Sequence, residues 1–115
     1  MSKESVITFL AEKWSVFVGC AVYFCGGADQ TFKVLMFFVV IDYFTGVMAA
    51  FGNGKLDSDI SRRGVMRKLG YFAAVMIAHQ VDLILGTEGV IRLGTMLGFI
   101  GAEGQSAIEN LDSLG

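Results

Sequence analysis

Four stretches of the chain are apolar, and polar positions interrupt them in a pattern that belongs to a membrane rather than to water. Residues 34–51, VLMFFVVIDYFTGVMAAF, form an apolar run broken only by Asp42 and Thr45. A helix over this run rises about 27 Å, close to the hydrocarbon thickness of a bilayer. It has no continuous polar face of the kind a soluble surface helix carries. Asp42, Thr45, Gly46 and Ala50 fall at helical spacing on one side of it, a small and polar stripe suited to close approach by another helix.

Residues 14–28 form an earlier apolar run with Trp14 at its border. An amphipathic lead-in over 2–13 extends it, Lys13 snorkelling toward the interface and Glu12 lying at its edge. The turn at Gly26, Gly27, Ala28, Asp29 and Gln30 predicts an antiparallel hairpin between the first two helices. After Phe51 the segment GNGKLDSD reads as a loop, followed by a short basic helix through Arg67 capped by Ser58 or Ser61. The third run, 69–85, carries His79, Gln80 and Asp82, with His79 and Asp82 on one face and expected to bond each other or a neighbouring helix. The fourth, 90–102, has Gly94, Gly98 and Ala102 four apart, plus Arg92, a candidate cation for Asp42. An amphipathic helical tail follows over 103–114.

The fold class expected is an all-α membrane protein. Three transmembrane helices and a fourth short span lie at about 8–28, 33–51, 69–86 and 90–102, in one polytopic domain.

Composition agrees with that reading. Of 115 residues, 54% are hydrophobic and 17% charged, and proline is absent. The net charge of −2 is unevenly spread. Lys55, Arg62, Arg63, Arg67 and Lys68 make a basic cluster between the second and third runs, expected at the membrane surface on the cytoplasmic side. That orientation also places the N-terminus inside. Such a cluster signals topology and does not point to nucleic acid. Cys20 and Cys25 read as buried thiols. The sequence holds no catalytic constellation, no second His or Cys at metal-ligand spacing from His79, and no phosphate-binding or cofactor motif.

The ordered set DYFTG, SRRGVMRKLGY, Asp82 and EGQSAIENLDSLG resembles the phage lysis and toxin-secretion holin family of Gram-positive bacteria and their phages. The resemblance covers about residues 41–115. It singles out Asp42, Tyr43, Thr45 and Gly46, then Ser61, Gly64, Lys68 and Asp82, then Glu103, Ser106, Glu109 and Asn110. Arginines stand at 62, 63 and 67 where the family often has lysine, and the chain ends where relatives usually add a further polar tail.

The resemblance implies a protein that accumulates in the bacterial cytoplasmic membrane and oligomerises with itself. It would then open timed lesions that release an endolysin, or a toxin, as cargo. An antiholin is a possible regulatory partner. On this reading Asp42, Thr45, Gly46, Ala50, His79, Asp82, Gly94 and Gly98 are candidates for assembly or pore contacts, with no cofactor. Two other classes stay open: a small four-span transporter or channel, and an antiholin-like membrane regulator.

Overall fold

A computed structural model describes residues 2–54 and 58–115, apart from the side chains of 58–61. Lys55 lies outside the described residues. The described chain is four helices and no strands: α1 (Lys3–Phe24), α2 (Gln30–Gly52), α3 (Ser58–Leu85) and α4 (Val90–Asp112). The polar side chains at the helix starts make two of the caps. Ser2 accepts from the Ser5 amide at 3.2 Å, and Asp29 from the Phe32 amide at 3.0 Å.

One expected break is absent. The basic segment and the third apolar run form one helix, α3, while the fourth run continues into the tail as α4. No proline interrupts the chain at either junction, and cooperative helix growth carries each helix across its polarity change. Three helices are long and apolar enough to cross a membrane: α1, α2 and residues Arg62–Leu85 of α3.

Helices α2, α3 and α4 pack as an up-down-up bundle. Asp29 meets Arg92 at one end of α2, and Gly46 and Gly52 meet Asn110 and Leu114 toward the other, so α2 and α4 run parallel. Helix α3 lies antiparallel to both, with Lys68 beside Asp42 and Asp82 beside Arg92. The apolar core is Cys25, Phe32, Leu35, Val39, Val75 and Met96, with Tyr71 stacked on Phe99 at 4.2 Å.

Much of the remaining interior is polar or charged, while Phe37, Phe44, Ile77, Ile84 and Leu97 face outward. That inversion suits a solvent of lipid chains, in which a buried polar group must find its partner inside the protein.

The expected hairpin of α1 on α2 does not form. None of the residues of α1 is buried, and the molecule measures 47 × 47 × 22 Å, with two long dimensions where a lone bundle has one. The packing faces of α2 are already occupied by α4 and α3. The chain exposes 8011 Å², against about 6,100 Å² for a compact chain of this mass. Cys20, expected to be buried, is exposed on α1, whereas Cys25 is buried at the turn. Because α1 begins at Lys3, Glu12 and Lys13 stand at its middle and not at its edge.

Candidate functional site

Asp42 lies near the midpoint of α2, where lipid offers a carboxylate nothing. It faces Lys68. The ammonium of Lys68 donates to Asp42 Oδ2 at 2.7 Å and to Glu103 Oε2 at 2.9 Å, so one cation on α3 ties α2 to α4. All three side chains are buried, Glu103 most completely at 1% exposure.

Asn110 completes the site from the next turns of α4. Its amide donates to Asp42 Oδ1 at 3.0 Å, to the Asp42 carbonyl at 3.2 Å and to Thr45 Oγ1 at 3.1 Å. Thr45 in turn donates to the Ile41 carbonyl at 2.8 Å. Ser106, on the same helix as Glu103 and Asn110, is half-buried, as is Tyr71 on α3. Among the described residues no buried side-chain nitrogen or oxygen lacks a partner. Two carboxyl groups share one ammonium here, so the cluster is neutral when it holds one proton and carries −1 when both carboxyls are ionised.

Lys68 was expected at the membrane surface with Arg62, Arg63 and Arg67. The structure corrects this. Successive residues of a helix point about 100° apart, so Arg67 stays exposed while Lys68 turns into the bundle. Arg62 and Arg63 are also exposed, Gly64 is half-buried, and the side chain of Ser61 lies outside the described set. Tyr43 lies on the exposed side of α2.

Arg92 does not pair with Asp42. It organises a second cluster at the far end of the bundle, donating to Asp29 Oδ2 at 2.7 Å, to the Gly27 carbonyl at 2.8 Å and to the Cys25 carbonyl. The guanidinium holds the Asp29 carboxyl below the usual carboxylate range. Gly26 is needed at this point, because its φ is +93° and a Cβ would come within 2.6 Å of Arg92 Nε.

Asp82 does not simply pair with His79. Its carboxylate accepts from the Ile91 amide at 3.0 Å, from the Arg92 amide at 2.8 Å and from the Thr87 hydroxyl. It therefore caps α4, whose own N-cap is Gly89 with no side chain to do so. His79 is half-buried against Gly26, beside an open cavity of about 680 Å³ that Asp29, Asp82 and Arg92 also line. No group of three or more His, Cys, Asp or Glu side chains among the described residues is placed to hold a metal.

Of the small residues singled out, Gly46 faces Asn110 in the α2–α4 contact, and Ala50 is half-buried. Gly94 and Gly98 face outward, with nothing within 4 Å of an added Cβ. Glu109 is exposed and accepts from Gln105 at 3.3 Å. The residue missed from sequence was Asp29 as the partner of Arg92. The N-cap spacing of Asp29 was visible; its salt bridge was not.

Asp42, Thr45, Lys68, Glu103, Ser106 and Asn110 come from three separated segments and converge on one buried point. The family model described as the bacteriophage holin family matches residues 19–115, which contain all of them. This chain belongs to the bacteriophage holin family. Among curated relatives, a protein from Bacillus phage phi105 described as a probable holin is 34% identical over 77% of this chain and 66% of its own length. YqxH of Bacillus subtilis is 39% identical over 82% of this chain and 66% of its own, and Lmo0128 of Listeria monocytogenes is 37% identical over 81% and 66%. This holin-family chain thus spans just under two thirds of the length of those relatives. No solved structure matches it. Membership and the three apolar helices of spanning length point to a membrane protein.

Proposed function

We propose that the chain acts as a holin: it accumulates in the bacterial cytoplasmic membrane, assembles with itself and opens lesions through which a cell-wall-degrading enzyme or a toxin leaves. The observation that carries this reading is the buried cluster of Asp42, Lys68, Glu103 and Asn110, set inside a bundle whose outer surface is apolar. The phage relative described as a probable holin supports it. A bundle held together by polar contacts in lipid is stable while those contacts stay dry. It also contains the groups that water would solvate on opening. One polytopic domain is proposed, with the end of α3 that carries the exposed Arg62, Arg63 and Arg67 toward the cytoplasmic side, a reading those basic residues support.

The test is expression in a bacterium with a folded cytoplasmic reporter enzyme, followed by membrane potential and reporter release. An abrupt loss of potential with release of the reporter is expected. Loss of potential with the reporter retained would favour a channel. Growth unaffected at a high membrane level of the protein would overturn the reading. Labelling of a Ser58→Cys variant by an impermeant thiol reagent in intact cells would reverse the proposed orientation.

A further inference from the structure

Helix α1 is a 22-residue span-length helix with no buried residue. A neutral helix could rest in lipid, but Glu12 and Lys13 stand at its middle. Its C-terminal end is held at the level of Arg92 by the bond from that guanidinium to the Cys25 carbonyl. If α1 crosses the membrane from that fixed end, Glu12 lies about 18 Å deep, near the bilayer centre, where each bare charge is costly. One side of α1 presents Glu12, Ser15 and Gly19 at i, i+3 and i+7.

A matching side exists on α4. Gly98, Gly101 and Gln105 repeat the same spacing, all are exposed, and neither glycine has an atom within 4 Å of an added Cβ. Counted from the shared level of Phe24 and Arg92, an antiparallel α1 sets Gly19 beside Gly98, Ser15 beside Gly101 and Glu12 beside Gln105. Small residues meet small residues, and the carboxyl meets an amide able to donate to it.

Resting on the holin reading, we propose that α1 is an arm that packs on the outer face of α4 of a second copy of this chain. The geometry disfavours the arm's own α4. Arg92, which holds the root of α1, points to nearly the opposite side of α4 from the stripe of Gly98, Gly101 and Gln105. The contact is head-to-tail: each copy offers an arm and accepts one, so addition continues until a ring closes or the array stays open.

Cross-linking between two differently tagged copies tests this, both in a Cys20→Ser, Cys25→Ser background. One copy carries Ser15→Cys and the other Gly101→Cys, where the structure leaves room for the side chain. Oxidation in membranes should give a dimer carrying both tags. Its yield should be at least about tenfold above the pair Phe17→Cys with Gly101→Cys, in which the thiol on α1 points away, since a disulfide requires Cα atoms roughly 4.4–6.8 Å apart. The pair Gly19→Cys with Gly98→Cys should behave like the first. Absence of the mixed dimer at normal membrane levels overturns the proposal, as does equal yield from Phe17→Cys. A chain carrying both Ser15→Cys and Gly101→Cys that closes only within itself also overturns it. The mixed dimer without reporter release in the lysis assay would leave the arm contact standing and sink the holin reading. Reporter release without the dimer would do the reverse.

Discussion

Replacing Lys68 with methionine removes the one cation shared by Asp42 and Glu103 while keeping the length of the side chain. Both carboxyls remain buried, at 4% and 1% exposure, with their donor gone from 2.7 and 2.9 Å. Removing one partner of a buried pair costs about 3–5 kcal/mol, because the charge left behind is uncompensated. At about 1.4 kcal/mol per factor of ten, that is a fall of roughly 10²- to 10³·⁵-fold in the ratio of folded to unfolded protein. Arg67→Met is the control. Its side chain is exposed one position away, and a surface charge contributes less than about 1 kcal/mol. Denaturation of the purified protein in detergent micelles, followed by circular dichroism and the fluorescence of Trp14, measures both. The triple variant Lys68→Met, Asp42→Asn, Glu103→Gln removes all three formal charges and should recover much of the loss, since apolar and neutral replacement of a buried ion cluster is often tolerated. Equal, small losses from Lys68→Met and Arg67→Met would refute the reasoning and return Lys68 to the membrane surface.

Gly26→Ala should destabilise by about 1–3 kcal/mol from backbone strain at φ +93°, and by more through the clash with Arg92; Gly27→Ala, at φ +99° in open space, should show the strain alone, and denaturant midpoints separate them. Gly46→Leu should lower the membrane level by pushing Asn110 away from Asp42. Gly98→Leu should leave the level unchanged and reduce cross-linking between copies, as immunoblots of membranes would record. The Asp29–Arg92 pair makes a small, acid-sensitive contribution. Because Arg92 lowers the Asp29 pKa, the contribution is full above the ordinary carboxylate value and is lost as pH falls through the depressed one. The stability difference between wild type and Asp29→Asn, measured from pH 6 down to pH 2, should therefore shrink to zero at the acid end. A difference that grows on acidification would reverse the sign of that argument.

The sequence by itself determined the helical class, three helices of spanning length and the turn that precedes α2. Period, length and turn chemistry are local properties, and they act within a few residues of the chain. The motif residues at 42, 45, 68, 103, 106 and 110 were also legible, though only as separate pieces. Which of them meet was decided by tertiary structure. Lys68 looks like one more member of a basic cluster until the rotation of α3 about its axis turns it inward, 100° from Arg67. Arg92 is equally plausible for Asp42 or Asp29 until the parallel register of α2 and α4 sets it level with Asp29. Asp82 becomes the cap of α4 because Gly89 has no side chain to offer. The departure of α1 from the bundle also escaped the sequence: its apolar faces satisfy any helix or any lipid, and hydropathy carries no preference between them. Helix phase and axial register depend on how side chains from distant segments fill one another's space, and that quantity exists only once the helices are together.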